Sequence, residues 1–219
     1  MATAEELTDG MKSRQRSNPK QWTMTLQQWV DVLEHCIQQP EYAEVKKQKK
    51  YVSMYDINDL FVKPWAQGTG CGLSVLMSRE HGQPAGIMLS HAWGEDAEEL
   101  LESVRDYATD HGIDYNVPVW FCVFANYQPE DHIGPTIAEQ IEMNPFASVI
   151  ESEEIKTQQG GRGMVAVHTT KADLYSRLWC VHEVDRAVEQ DDVEVGGALS
   201  EEYKEDGCSL KHAAEPLRA

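Results

Sequence analysis

The sequence has few basic residues and no long apolar run. Nineteen Lys and Arg stand against thirty-seven Asp and Glu, which gives a net charge of −18. Phosphate backbones repel a chain this acidic, so we do not expect nucleic acid as a partner. The longest largely apolar run, residues 117–125, is about half of the ~20 residues that a membrane-spanning helix needs. The sequence therefore predicts no membrane-spanning segment.

Cysteine is also scarce, and its pattern excludes two common classes of protein. The cysteines are odd in number and none belongs to a CxxC pair, so neither a disulfide framework nor a zinc site is indicated. Residues 1–16 lack the apolar core of a secretory signal. We expect no metal site, reduced thiols and an intracellular, cytoplasmic protein. The cysteines are Cys36, Cys71, Cys122, Cys180 and Cys208.

Composition divides the chain into four segments. Residues 1–22 are polar and mixed in charge, so we expect a flexible lead-in. Residues 23–84 combine one amphipathic pattern with many glycines and prolines, which predicts a helical and loop-rich extension. Residues 85–196 are predicted to form an α/β domain, and residues 197–219 a polar C-terminal tail.

The extension contains one clear helix signal. Thr25 is followed three residues later by Gln28, which fits a capping box, and Pro40 is expected to stop the helix. The apolar residues between them recur at the spacing of one helix face: Leu26, Trp29, Val30, Leu33 and Ile37.

From residue 86 onward, apolar runs alternate with amphipathic stretches. Strands are predicted at 86–90, 117–124 and 164–168, with a fourth beginning at 192–195. This alternation predicts a parallel sheet of about four to five strands flanked by helices, with a ligand site at the carboxyl ends of the strands. One helix is predicted to begin at Ala97 and end at Gly112. Two more are predicted to cover 137–143 and 173–190.

Several polar or aromatic residues follow the predicted strands. Ser90 and His91 end the first strand, where a hydroxyl and an imidazole can contact a ribose or phosphate, or serve only as a cap and a hydrogen-bonded core histidine. Trp93 can stack on a ligand ring or pack against the protein. Thr169 follows the third strand. Glu95 and Asp96 are predicted to cap the next helix.

Two segments resemble TIR domains. LSHAWGEDAEELLESV (89–104) has the strand ending in serine and the Glu-Asp turn of that family, and VAVHTTKADLYSRLWCVHEVDRAV (165–188) has its WCxxE helix. The WCxxE residues are Trp179, Cys180 and Glu183. The chain is also similar to a large group of uncharacterised algal proteins with SHAW and YSRLWCxxE motifs, and more distantly to HET domains.

The resemblance implies a flavodoxin-like fold and cleavage of the nicotinamide–ribose bond of NAD, with Glu183 as the catalytic residue. It implies Ser90, His91, Trp93, Thr169 and Trp179 as residues that bind NAD. No cofactor is required, and NAD is the candidate substrate. Departure of nicotinamide leaves an oxocarbenium-like ribose, which a carboxylate stabilises. The resemblance also implies a homo-oligomer, since active TIR sites are often completed by a neighbouring protomer.

Other interpretations of the same residues remain open. Glu183 can form a structural ion pair with Arg177 or Arg186 instead of acting on a substrate. The fold also serves as a non-catalytic protein–protein interaction module, or as a structural subunit of a larger assembly. Cys180 is expected to be a buried thiol. A nucleophilic cysteine needs a neighbouring base, and His182, two residues later on a helix, points elsewhere.

Overall fold

The computed structural model describes residues 7–205. The expectations for residues 1–6 and for the tail from residue 206 onward therefore lie outside the described residues. The described strands are β1 (Met24–Thr25), β2 (Ile87–Ser90), β3 (Pro118–Phe121), β4 (Met164–His168) and β5 (Val195–Leu199). The described α-helices are α1 (Asp9–Ser17), α2 (Leu26–Ile37), α3 (Pro40–Lys49), α4 (Met54–Ile57), α5 (Lys63–Ala66), α6 (Leu73–Ser78), α7 (Ala97–Asp110), α8 (Cys122–Ala125), α9 (Ile137–Glu142), α10 (Pro145–Ile150) and α11 (Leu178–Val188).

The sheet has the strand order β1-β3-β2-β4-β5. Strands β3, β2, β4 and β5 are parallel, and β1 pairs antiparallel with β3 at the edge. The parallel strands follow the flavodoxin-like order, in which the chain winds first to one side of the starting strand and then to the other. The predicted fold class is confirmed. The reversal of winding places the switch point between β2 and β4.

Each face of the sheet is covered by a separate helical layer. Ile87 and Leu89 of β2 belong to the core that includes α2 and α7, whereas Met88 packs with residues of α10 and α11. Because side chains alternate along a strand, Ser90 shares the face of Met88. The serine that ends β2 is therefore directed toward α11.

Residues 7–22 contain a helix and a 3₁₀ turn, in contrast to the flexible lead-in that their polarity predicts. Met11 of helix α1 and Trp22, which follows the 3₁₀ turn Pro19–Gln21, are fully buried. Both belong to the core that contains Met88 and residues of α10 and α11. The indole nitrogen of Trp22 also donates to the carbonyl oxygen of Arg14 at 3.0 Å. Two large apolar side chains suffice to anchor this otherwise polar segment, and the average composition conceals them.

The extension 23–84 joins the sheet instead of standing apart from it. Met24 of β1 pairs with Val119 of β3. The predicted capping box at α2 is confirmed, since the Thr25 hydroxyl accepts from the Gln28 amide at 3.1 Å and the Gln28 side chain accepts from the Thr25 amide at 3.0 Å. Pro40 follows the end of α2, and it also occupies the first position of α3.

Two segments near the sheet edge differ from prediction. β3 ends at Phe121, and residues 122–125 turn into α8 instead of continuing the strand to residue 124. The predicted helix 173–190 is divided into the 3₁₀ turn Leu174–Ser176 and α11, because Arg177 between them is extended. β5 runs to Leu199, so the sheet continues past the predicted domain boundary at residue 196. The departures at residues 122–125 and at Arg177 border the candidate site.

No helix within residues 7–205 is both long and apolar enough to cross a lipid bilayer.

Candidate functional site

A pocket of about 290 Å³ opens at the carboxyl ends of β2 and β3. It borders the switch point of the sheet, where ligands bind in doubly wound folds. Four of the six predicted site residues line it, namely His91, Trp93, Trp179 and Glu183. Its remaining wall is largely apolar and comes from β3, α9 and α10.

Glu183 is the buried acid of this pocket. Its side chain lies on α11 with only 5% of the residue exposed, and its Oε2 accepts a hydrogen bond of 2.5 Å from the hydroxyl of Ser90. Burial raises the pKa of Glu183 to about 7, although the Ser90 hydroxyl, His91 and Arg177 act in the opposite direction. The carboxyl group therefore exchanges its proton near neutral pH.

The two ion pairs considered for Glu183 are not formed within the described chain. Arg186 instead contacts Glu151. Arg177 donates to the hydroxyl of Tyr55 at 3.0 Å and lines the pocket without a direct bond to Glu183. The buried carboxylate is thus held by a neutral hydroxyl, which leaves its charge uncompensated by a contacting cation.

Aromatic side chains form the mouth of the pocket. Trp179 is 52% exposed and stacks on Phe146, with ring centroids 5.9 Å apart and an interplanar angle of 26°. Trp93 also lines the pocket, but it packs against Tyr55 at a centroid distance of 5.4 Å and stacks on His91 at 6.4 Å. The half-exposed ring of Trp179 is therefore better suited to stack on a planar heterocycle.

His91 belongs to a buried chain of polar contacts. Its Nδ1 lies 2.5 Å from Oε1 of Glu95, and its Nε2 lies 3.2 Å from Sγ of Cys122. Its ring stacks on Phe121 at 4.2 Å. Burial alone would lower the pKa of His91, but the negative charge of Glu95 and the Cys122 sulphur outweigh it and raise the pKa to about 10.

Only one of the two predicted capping acids caps α7. Asp96 accepts from the amide of Glu98 at 2.9 Å. Glu95 is 1% exposed and points inward to His91, so the expectation that it caps the helix is wrong. A helix-start pattern does not distinguish the two acids, because it does not show that Glu95 turns inward to the imidazole of His91, four residues earlier.

Thr169 is not brought into the pocket. It is buried after β4, and it is absent from the pocket lining among residues 7–205. Its neighbour Thr170 turns the chain toward α7, donating from its amide and hydroxyl to Glu99 at 2.7 and 2.5 Å. That anchor directs the segment away from the ligand edge.

Cys122 is a polar lining residue that the sequence analysis did not place at the site. Its position inside an apolar run predicts a core residue. Strand β3 ends one residue before it, however, and the thiol lines the pocket. Position at the end of a strand, on the same edge as His91, was the available signal. Cys180, by contrast, is the predicted buried thiol; its Sγ donates to the carbonyl oxygen of His91 at 3.3 Å, and burial raises its pKa to about 12.

Within residues 7–205, no group of three or more His, Cys, Asp or Glu side chains is arranged to hold a metal ion. No protein-family model matches the chain, and neither a curated protein nor a solved structure is significantly similar to it.

Proposed function

We propose that the protein is a TIR-like domain that cleaves the nicotinamide–ribose bond of NAD in this pocket. The observation that carries the proposal is the buried carboxylate of Glu183, held by Ser90 at the ligand edge of a flavodoxin-like sheet. The SHAW segment and the WCxxE helix, which are far apart in sequence, supply the two partners of this hydrogen bond. That meeting supports the resemblance on which the proposal rests.

The reaction needs one carboxylate and water. The bond between the ribose carbon and the nicotinamide nitrogen breaks, and nicotinamide leaves as a neutral base with the bonding electron pair. The ionised Glu183 stabilises the oxocarbenium-like ribose and orients its hydroxyls. Water then adds to the ribose carbon and releases a proton to the solvent. No further cofactor enters this scheme.

The pocket, about 290 Å³ in volume, suits the nicotinamide end of that substrate. The exposed ring of Trp179 offers a stacking surface for the nicotinamide ring. Arg177 lines the pocket and supplies a positive charge that a phosphate group can approach. His91, which follows β2, lines the pocket, whereas Ser90 is buried outside the lining and acts on it through Glu183. We accordingly assign NAD as substrate and Glu183 as the catalytic residue.

The test is nicotinamide release from NAD by the purified full chain at high protein concentration. Wild type is compared with Glu183→Gln and with Glu189→Gln, which makes the same change on an exposed residue just after α11. We expect release by wild type and Glu189→Gln, and a loss of at least about a hundredfold in Glu183→Gln. Equal release by all three proteins, or none by wild type, contradicts the proposal.

A second candidate function, a protein–protein interaction module, is favoured by one observation. The start and outer face of α11 expose several apolar side chains, of which Leu178 is 84% exposed and Val188 is 68% exposed. Exposed apolar patches of this kind commonly mark interfaces. The others in the group are Tyr175, Trp179 and Val181.

This surface, which we call the α11 patch, also suits the homo-oligomer that the TIR resemblance implies. Sedimentation velocity over a range of concentrations tests it, with Leu178→Asp as the disrupting variant. We expect wild type to associate and the variant to remain monomeric. A wild-type monomer at every concentration contradicts self-association through this patch.

The described cysteines are all free thiols, which fits a reducing intracellular compartment such as the cytoplasm.

A further inference from the structure

Three side chains at the pocket form a relay that the glycosidic reaction does not use. The imidazole of His91 lies between the other two side chains. Its Nε2 lies 3.2 Å from Cys122 Sγ, and its Nδ1 lies 2.5 Å from Glu95 Oε1. A nucleophile next to a base, with the base held by a third group, is the arrangement that activates serine and cysteine nucleophiles. The relay is assembled from the ends of β2 and β3.

We propose that Cys122, His91 and Glu95 act as nucleophile, general base and orienting carboxylate, and that the pocket transfers the apolar acyl group of an ester or thioester to Cys122. This activity goes beyond the cleavage of NAD. It uses the same pocket, but different atoms from those of the Ser90–Glu183 pair.

Access and orientation differ among the three residues in the way that such a relay requires. Cys122 is only partly buried and lines the pocket, so a ligand can reach its sulphur. His91 and Glu95 are both nearly inaccessible to solvent, and stacking on Phe121 fixes the plane of the imidazole. The nucleophile therefore faces the ligand, whereas its base is shielded behind it.

A second donor faces the same sulphur. The indole Nε1 of Trp93 lies 3.3 Å from Cys122 Sγ and donates toward it. Together with a protonated His91, this donor stabilises a thiolate. The other free thiols of the described chain lack this surrounding, and Cys36 is buried in α2 with a pKa raised to about 12 by burial.

The acyl transfer balances with water as the only co-reactant. The thiolate attacks the acyl carbon, the C–S bond forms, and the bond to the leaving alcohol or thiol breaks. The leaving group takes the proton from the His91 imidazolium. Water, deprotonated by the neutral His91, then attacks the thioester, so that the C–S bond breaks and the thiolate and imidazolium are restored. Products are a carboxylic acid and an alcohol or thiol.

The apolar wall defines the kind of acyl group. Trp120, Ile137, Ile141 and Phe146 line the pocket near the relay. A volume of about 290 Å³ accommodates a short acyl chain or a single aromatic ring and excludes a folded polypeptide. We therefore assign small acyl esters and thioesters as the substrate class, and not proteins.

The first experiment measures alkylation of Cys122 by iodoacetamide in the full chain, located by peptide mass mapping, between pH 6 and pH 8. A preformed thiolate predicts a rate that changes less than about twofold over this range, whereas the rate of an ordinary thiol rises on the order of a hundredfold. A steep rise at Cys122 like that of free cysteine overturns the proposal. This readout needs no variant and does not depend on folding of a mutant.

The second experiment incubates the protein with p-nitrophenyl butyrate and measures the intact mass. We expect one butyryl adduct on Cys122 in wild type and in Cys36→Ala, and none in Cys122→Ser, whose folding is checked by thermal unfolding. Glu95→Gln should slow adduct formation about tenfold or more. An adduct that maps to other residues, or the absence of any adduct on wild type, overturns the acyl-transfer activity.

Discussion

The hydroxyl of Ser90 donates a 2.5 Å hydrogen bond to the carboxylate of Glu183, and joins the end of β2 to helix α11 across 93 residues of sequence. The relationship fixes the acid at the edge where parallel strands present their carboxyl ends. It also leaves the acid without a contacting cation among the described residues, so burial outweighs the Ser90 hydroxyl and the more distant charges of His91 and Arg177 and raises the pKa of Glu183. Replacement of Glu183 by Gln should consequently raise the stability of the fold and lower the activity.

Replacement of Glu183 by Gln should increase stability above neutral pH. The pKa of Glu183 is about 7 in the folded chain, against 4.5 in a solvated chain. Between these values the folded state binds the proton more tightly, so the unfolding free energy of wild type falls as pH rises. Since a tenfold change in proton affinity is worth ~1.4 kcal/mol, the cost reaches about 3 kcal/mol by pH 8.

The measurement is denaturant unfolding of wild type and Glu183→Gln at pH 5 and pH 8. The stability of the variant relative to wild type should increase by roughly 2–3 kcal/mol between these two pH values. His91 and Glu95 titrate in both proteins, so the difference isolates Glu183. A variant that becomes relatively less stable at pH 8 would identify Glu183 as a structural ion and not a buried, uncompensated one.

Trp179 should contribute to ligand binding far more than to folding. Its ring is half exposed and rests on Phe146, so Trp179→Ala removes a stacking surface but little buried core. We expect the Kd for NAD, measured by calorimetry on a Glu183→Gln background, to weaken about tenfold. Trp179→Phe keeps a ring and should recover most of the affinity. Equal losses in both variants would argue against stacking.

Gln140 should be important for stability because it links three segments. Its Oε1 accepts from the Tyr127 amide at 2.8 Å and from Gln15 Nε2 at 3.2 Å, and its Nε2 donates to the Tyr127 carbonyl at 3.0 Å. Gln140→Leu leaves these buried groups without their partner and should destabilise the fold by about 3 kcal/mol.

The matched control for this prediction is Gln158→Leu. Gln158 is exposed and bonds only to Asp192 among the described residues, so its replacement should change the unfolding free energy by less than about 0.5 kcal/mol. Equivalent small effects for both glutamines would show that the Gln140 contacts are not needed. A large effect at Gln140 alone would tie α1, through Gln15, to the segment that leads from α8 into the pocket.

The periodic and punctuated parts of the fold were predictable from the sequence. The Thr25–Gln28 capping box, strand β4 and the end of α7 before Gly112, whose φ is +58°, are all encoded by residues close together in the chain. The carboxyl-end rule placed Ser90 at the ligand edge, whereas Glu183 was singled out by the resemblance to TIR domains.

Elements that depend on distant contacts were not predictable in the same way. β1 has two residues and carries no periodic signal of its own, since β3 specifies it by pairing. The contact between His91 and Cys122 needs β2 and β3 to be neighbours and β3 to end at Phe121. Glu95 and Asp96 look alike to local rules, and only the position of the imidazole separates their roles.

The most direct test of the account is the pH dependence of nicotinamide release from NAD, expressed as kcat/KM between pH 5 and pH 9. This quantity reports the ionisation of the free enzyme. If the carboxylate of Glu183 carries the reaction, kcat/KM rises about tenfold from pH 6 to pH 8 with a midpoint near the pKa of about 7. A profile that is flat or falls over this range, or no release at any pH, contradicts the assignment of Glu183.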